Sequence, residues 1–113
     1  MWLMKIVDWP LDDLDCLIIL AIGETGNRGG GIHKMVIRLS KSLGIKIDPE
    51  AYELGYSETV AERLHSRSHI GFFIKVGDKY QLTERGKALY YKLLGQLREK
   101  NRVDVIEMLR RHP

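Results

Sequence analysis

The chain has 113 residues and a formal net charge of +3, and hydrophobic residues make up 44% of it. This length predicts one domain over residues 1–113, with a composition typical of a globular protein. The longest apolar run, residues 16–22, is too short to cross a bilayer, and the acidic N-terminal region is unlike a secretory signal. We therefore expect a cytoplasmic protein with no membrane partner. Cys16, the single cysteine, is expected to be an inert core thiol.

The charges are numerous and unevenly distributed. Few Asn and Gln side chains accompany 18 basic and 15 acidic ones, which is typical of thermophilic proteins and suggests a thermophilic, archaeal source. The acidic segments are residues 1–27 and 48–62, and the basic segments are residues 28–47 and 63–113. A fold that brings the basic segments together would create a nucleic-acid-binding face, whereas the same charges would also suit a solvated surface.

The N-terminal third predicts an arm, a buried helix and a loop. Residues 1–10 are apolar and form the arm, with Trp2 and Trp9 packing on the core or on a second copy. Residues 11–24 carry apolar side chains around most of a helix, which indicates a central position, and three aspartates begin it. Residues 23–31 (GETGNRGGG) are expected to be a tight connection between helices. The glycines invite comparison with a phosphate loop, but the GxxxxGK[ST] spacing is absent.

The second predicted helix covers residues 32–43 and is amphipathic. Its apolar face includes Ile32 and Leu39, and Gly44 ends it. We expect the opposite side to be exposed and basic, with His33, Lys34, Arg38 and Lys41. In a helix-turn-helix protein this helix crosses the phosphate backbone. Residues 45–56 then form an irregular connection, in which residues 45–47 are compatible with a short strand and residues 49–54 with a helical turn.

The third predicted helix, residues 57–69, is the candidate recognition helix. Ser57 is a suitable N-cap, and Val60 and Leu64 are expected to face inward. The outward side and its edges carry polar groups that can reach bases or phosphates, including Thr59, Arg63, Ser66 and Arg67.

A β-hairpin and two C-terminal helices complete the chain. The hairpin covers residues 72–82, and Lys75 and Lys79 flank its Gly77-Asp78 turn, which suits contact with phosphates. Thr83 is expected to cap a long helix, and residues 103–111 form the last one. An apolar seam on residues 83–113 would be a homodimer interface.

From residue 14 to residue 94 the chain resembles winged helix-turn-helix regulators of the PadR and MarR type. The resemblance is carried by LDCLIILAIGE, GGIHKMVIRLSKSLG, YSETVAERLHSRSHIGFF and YQLTERGKALYYKLL. It implies a mainly α fold with a small β-hairpin, in which residues 11–82 are the helix-turn-helix with its wing and residues 83–113 are additional helices.

The resemblance also implies a sequence-specific, dimeric regulator of transcription that binds double-stranded DNA. Its third helix would enter the major groove and its wing would lie on the backbone. The expected DNA-binding residues are Lys34, Arg38, Lys41, Thr59, Arg63, Ser66, Arg67, Lys75 and Lys79. The sequence contains no catalytic motif or zinc-ligand spacing, so we expect neither an enzyme nor a cofactor. The acidic residues 48–62 favour an alternative, a winged-helix module that binds another protein in a larger assembly.

Overall fold

The computed structural model describes residues 11–66 and 71–111, which form six helices and a three-stranded antiparallel sheet. The predicted mainly α fold with a small hairpin is confirmed at that level. The predicted arm with Trp2 and Trp9 and the site residue Arg67 lie outside the described residues. The elements are α1 Asp13–Ile22, β1 Asn27–Arg28, α2 Gly29–Leu43, α3 Ala51–Leu54, α4 Glu58–Ser66, β2 Phe73–Val76, β3 Lys79–Leu82, α5 Glu84–Glu99 and α6 Val103–Arg110.

Helix α1 is the centre of the core, as its wide apolar stripe predicts. All of its residues from Asp15 to Ile22 are buried, and α2, α4, α5 and the sheet pack around it. The helix begins with a capping box, in which Asp12 accepts from the Asp15 N–H at 3.0 Å and Asp15 accepts in return at 3.2 Å. Burial raises the pKa of the Cys16 thiol to about 12, which is consistent with an inert core residue.

The glycine-rich segment differs from the predicted loop. Asn27 and Arg28 form β1, which pairs with β3 so that the sheet order is β1-β3-β2. The buried Asn27 side chain donates to the Ala21 carbonyl at 3.1 Å and so ties the strand to α1. Helix α2 begins at Gly29, three residues earlier than expected, and a methyl group on Gly31 would collide with the Asn27 side chain. Tertiary pairing with β3, which no local pattern reveals, creates this strand.

The connection from α2 to α4 contains one short helix. Residues 45–47 form no strand, and α3 is a four-residue helix that ends at Gly55 with φ +68°. Ser57 caps α4 as predicted, because its hydroxyl accepts from the Val60 N–H at 3.1 Å. Val60 and Leu64 are buried, as the helical pattern indicates.

The hairpin is fastened to α5 by the residues that follow β3. The Thr83 N–H donates to the Phe72 carbonyl at 3.1 Å, and the Thr83 hydroxyl donates to the Gly71 carbonyl. The same hydroxyl accepts from the Gly86 N–H and thereby caps α5. A methyl group on Gly86 would lie far inside contact distance of the Phe72 carbonyl oxygen. The segment from Leu82 to Gly86 (LTERG) therefore joins the hairpin to α5.

Helix α6 folds back on α5 after a break at residues 100–102. Asn101 adopts φ +60°, and Arg102 donates to the Ser42 carbonyl at 2.7 Å, which fixes this corner against the end of α2. Among the described helices, none has the length and apolar character needed to span a bilayer.

Candidate nucleic-acid interface

An open groove with a volume of about 760 Å³ lies between α2, β1 and β3. Its lining includes four basic side chains, Arg28, Lys34, Arg38 and Lys79. Among the described residues, none of those that line it is acidic. We call this feature the basic groove; three of its cations were predicted site residues, namely Lys34, Arg38 and Lys79.

Helix α2 supplies one wall of the basic groove through the spacing of its lysine and arginine residues. Lys34, Arg38 and Lys41 are separated by four and three residues, which places them on the same side of a helix. All three are exposed, while Ile32, Met35, Val36 and Leu39 face the core. The row from Lys34 to Lys41 is about 10 Å long, from a rise of about 1.5 Å per residue. The predicted basic face of this helix is therefore present.

The sheet supplies the opposite wall. Arg28 of β1 pairs in register with Lys79 of β3, so two like charges lie directly across from each other. Such pairs are unfavourable unless a counter-ion is close. Here Asp78, in the hairpin turn, lies 3.1 Å from Arg28, and both side chains are 70% exposed. This accessible carboxylate partly offsets the positive charge of the basic groove.

Two further predicted site residues lie outside the lining of the basic groove. The Lys41 ammonium lies 5.5 Å from the centre of the Tyr52 ring, one turn beyond Arg38 on α2. The Lys75 ammonium lies 5.8 Å from the centre of the Tyr80 ring. The structure thus brings together Lys34, Arg38 and Lys79 but directs Lys41 and Lys75 toward aromatic rings.

Arg63 of α4 is engaged within the protein. Its guanidinium lies 2.6 Å from the Asp12 carboxylate and 3.1 Å from the Asp15 carboxylate, and its side chain is only 22% exposed. Burial would raise the pKa of Asp12, but the hydrogen bond from Arg63 and the N-capping interactions lower it below 3.8. The three charges connect α4 to the start of α1, a contact that sequence periodicity does not reveal.

The other predicted residues of α4 in the described range, Thr59 and Ser66, lie outside the basic groove. Thr59 is half-buried and borders a second groove, whose charged lining is Asp12, Asp13, Asp48, Lys46 and Arg63. Ser66 is exposed at the end of the described helix. The remaining exposed residues of α4 are Glu58, Glu62 and His65. The described part of α4 therefore presents carboxylates to solvent, with its one arginine held by aspartates.

A buried histidine fixes the position of the α4 N-terminus. His33 was expected on the exposed side of α2, but it is 6% exposed, and its Nδ1 accepts from the Ser57 N–H at 3.1 Å. Its ring stacks on Tyr56 with centroids 4.6 Å apart. Burial lowers the pKa of His33, and the charge of Asp48 opposes that shift. The surface location predicted for His33 is wrong because the connection through Tyr56 and Ser57 covers this face of the helix.

An apolar and aromatic surface adjoins the basic groove at Gly55. Leu54 is 70% exposed, and the rings of Tyr52 and Tyr56 are also exposed. Tyr52 is held in place by a 3.0 Å hydrogen bond between its hydroxyl and that of Ser40. Glu50 and Glu53 are exposed in the same segment of the chain, and Lys41 lies over the Tyr52 ring.

Arg28 is the member of the basic groove that was not among the predicted site residues. Its position beside three glycines is visible in the sequence, but its function depends on the β1–β3 pairing that sets it opposite Lys79. Within the described ranges, no cluster of three His, Cys, Asp or Glu residues could hold a metal ion.

Comparison of the chain with protein-family models, with curated proteins and with solved structures yields no match in any of the three. The interpretation of its function therefore depends on the site itself.

Proposed function

We propose that this protein is a winged-helix regulator of transcription that binds double-stranded DNA through the basic groove. The observation that carries the proposal is the convergence of Arg28, Lys34, Arg38 and Lys79 on one open groove. Cations concentrated on one face attract the phosphates of a duplex and supply most of its sequence-independent affinity. In this proposal α2 and the hairpin are the elements that contact DNA phosphates.

The order of elements supports a winged-helix identity. Helices α1, α2 and α4 are followed by a two-stranded hairpin, and β1 completes the sheet beside β3. In helix-turn-helix proteins the helix that precedes the recognition helix crosses the DNA backbone, and α2 is the long helix before α4, with only the four-residue α3 between them. Its exposed cations suit that role.

The test is the salt dependence of binding to a 24-base-pair duplex, measured by fluorescence anisotropy. Four neutralised phosphates give a log–log slope of about −3.6, so the affinity should fall by about 10² between 50 and 200 mM salt. The Lys34→Ala/Arg38→Ala variant removes two of these contacts and should make the slope less steep by about 1.8. The absence of duplex binding at 50 mM salt would refute the proposal.

A charge-matched control separates the basic groove from general attraction. The Lys92→Ala/Arg98→Ala variant removes two exposed cations from α5 and leaves the basic groove unchanged. It should retain nearly the affinity and slope of the wild type. Equal losses in the two double variants would mean that net charge, and not the basic groove, accounts for binding.

A homodimer formed through the C-terminal helices is part of the same proposal. Tyr91 of α5 and Val103 of α6 are half or more exposed, which leaves apolar surface available to a second copy. Light scattering after size-exclusion chromatography should give twice the mass of the chain. A Tyr91→Glu/Val103→Glu variant should be monomeric, while a monomeric wild type would contradict this part of the proposal.

The apolar surface on α3 favours a second candidate function, that of a module that binds another protein. Leu54, Tyr52 and Tyr56 expose large side chains in a segment that also carries the exposed Glu50 and Glu53. Such a surface suits a partner segment that is apolar and basic. Binding of a defined partner that is lost in Leu54→Asp, without any duplex binding at low salt, would favour this function over the first.

A further inference from the structure

We propose that the protein prefers DNA that contains unpaired nucleotides, whose bases stack on two exposed tyrosines beside the basic groove. This inference rests on the proposed function and specifies the form of DNA that the site binds best. The residues concerned are Tyr52, Leu54 and Tyr56, which we call the tyrosine surface; they are 39%, 70% and 48% exposed. A contiguous group of large exposed apolar side chains indicates a binding site.

The tyrosine surface continues from the basic groove. Gly55, the residue before Tyr56, is part of the groove lining. Both tyrosines also contact α2, Tyr52 at Ser40 and Tyr56 at His33. These two contacts are seven residues apart, or about 10 Å at a rise of about 1.5 Å per residue, which matches the length of the cation row on the same helix. A strand whose phosphates follow that row can therefore reach both rings, since about three nucleotides cover this distance at about 3.4 Å each.

Both rings are held in place within the protein. The Tyr52 hydroxyl lies 3.0 Å from that of Ser40, which is buried and donates to the Ile37 carbonyl at 2.8 Å. The Tyr56 ring stacks on the buried His33 ring with centroids 4.6 Å apart and planes 22° apart, so a base would stack on its opposite face. Because the rings are already ordered, stacking of a base on them costs little side-chain entropy.

Exposed aromatic rings beside cations have the chemistry that binds unpaired nucleotides. Bases stack on such rings with little dependence on sequence, while the cations hold the phosphates. The Lys41 ammonium, 5.5 Å from the centre of the Tyr52 ring, supplies a cation at the tyrosine surface, and Arg38 lies one turn earlier in the basic groove. In a duplex the faces of each base are covered by the neighbouring base pairs, which leaves edges and phosphates for contact. The two rings therefore add affinity where bases are unpaired.

The exposed carboxylates of the same segment restrict the path of the strand. Glu50 and Glu53 are exposed close to Tyr52 in the chain, and their charges repel phosphates. The strand therefore lies on the α2 side of the tyrosine surface, where the cations are. The same carboxylates would attract a basic protein segment, which is the alternative occupant that the experiment distinguishes.

The test compares a 24-base-pair duplex with the same duplex carrying a central bubble of eight T·T mismatches, by fluorescence anisotropy at 50 and 200 mM salt. We expect the bubble to bind at least about tenfold more tightly, because stacking of one base on an aromatic ring changes affinity by about 5- to 150-fold. The preference should persist at 200 mM salt, because stacking does not depend on counterion release.

The outcomes separate this inference from the proposed function. Equal affinities for bubble and duplex would overturn the inference, leave the proposed function standing and favour a protein partner for the tyrosine surface. Binding of the bubble without the duplex would overturn the proposed function and support the stacking contact. Binding of neither would overturn both.

Variants of the two tyrosines locate the contact. Tyr52→Ala and Tyr56→Ala should each weaken binding to the bubble by about fivefold or more and change duplex affinity by less than twofold, which also shows that the variants fold. Tyr52→Phe and Tyr56→Phe keep the ring and should retain the preference for the bubble. An unchanged preference in both alanine variants, or equal losses in the phenylalanine and alanine variants, would overturn the inference.

Photocrosslinking tests the same contact in the wild-type chain. A bubble that carries 5-iododeoxyuridine in place of thymidine should crosslink to the aromatic rings on which its bases stack. Trypsin releases residues 47–63 as one peptide, which contains Tyr52 and Tyr56 and no other tyrosine. The crosslink should map to this peptide, and crosslinks confined to other peptides would overturn the inference.

Discussion

Removal of the Arg63 guanidinium should destabilise the fold, because this residue connects α4 to the start of α1. The contact with Asp12, which is half-exposed, contributes about 0.5–1 kcal/mol. The contact with Asp15 is worth more because that carboxylate is buried, although it retains a hydrogen bond from the Asp12 N–H at 3.2 Å. A charge-assisted hydrogen bond of this kind contributes about 1.5–2 kcal/mol. Arg63→Ala should therefore lower the free energy of unfolding by about 2–3 kcal/mol.

Urea unfolding at pH 7 measures this loss, and a thermal scan should show a Tm lower by about 10 °C for a chain of this size. Arg63→Lys keeps the charge but not the forked donor, so its free energy of unfolding should lie between those of the wild type and Arg63→Ala. Asp12→Asn provides a matched partner variant, because Asn caps a helix as well as Asp does but carries no charge. A double-mutant cycle of Arg63→Ala with Asp12→Asn should give a coupling energy of about 0.5–1 kcal/mol.

The pH dependence provides a second readout of the Arg63 contact. The pKa of Asp12 lies below 3.8 in the folded chain, so the stabilisation is present above that value and is lost as the pH falls through the folded pKa. The difference between wild type and Arg63→Ala should therefore persist at pH 5–7 and shrink below pH 4. An Arg63→Ala variant with the wild-type urea midpoint and a tenfold weaker affinity for DNA would refute this reasoning, since Arg63 would then be a ligand contact.

Three further perturbations test other features. Burial lowers the pKa of His33, whose neutral ring accepts from the Ser57 N–H, so wild-type stability should fall as the pH drops below 6.5. His33→Gln should remove that dependence, as urea midpoints at pH 5 and 7 would reveal. Gly86→Ala should cost about 3 kcal/mol through collision with a backbone carbonyl, whereas Gly95→Ala, in open space on the same helix, should stabilise by up to about 1 kcal/mol. Asp78→Asn should raise duplex affinity by about threefold without changing stability beyond about 0.5 kcal/mol, because it removes an exposed carboxylate beside the basic groove.

Each of these three predictions can be contradicted by one observation. A pH-dependent urea midpoint in His33→Gln would assign the dependence to another group. Equal effects of alanine at Gly86 and Gly95 would mean that the close approach to the hairpin carries no energetic weight. An unchanged DNA affinity in Asp78→Asn would place the duplex away from the hairpin turn.

The periodic and capped elements could be predicted from the sequence because their signals are local. The core position of α1 follows from its wide apolar stripe, and Ser57 and Thr83 are recognisable as N-caps. The turn at Gly77-Asp78 and the paired strands around it likewise match expectation. The caps join residues three positions apart, and the hairpin pairs residues at most nine positions apart, so a sequence pattern can express these signals.

The candidate site could be predicted only in part. Lys34 and Arg38 share a helix face by spacing alone, but the inclusion of Arg28 requires a strand pairing across about fifty residues of chain. His33 shares the polar side of the α2 pattern, and only the covering connection makes it a buried acceptor. The helical pattern likewise predicts that Arg63 lies at an exposed edge of α4, whereas in the fold the start of α1 lies beside it and Asp12 pairs with it.

The sequence by itself determined the helices, their caps, the hairpin and the row of cations on α2, since these depend on neighbouring residues. Only the tertiary structure decided which charges are available to a ligand. It joined Arg28 and Lys79 to that row across the sheet and paired Arg63 with two aspartates. The physical reason is that the function of a charged side chain depends on the counter-charges within a few ångströms, and those come from distant parts of the chain.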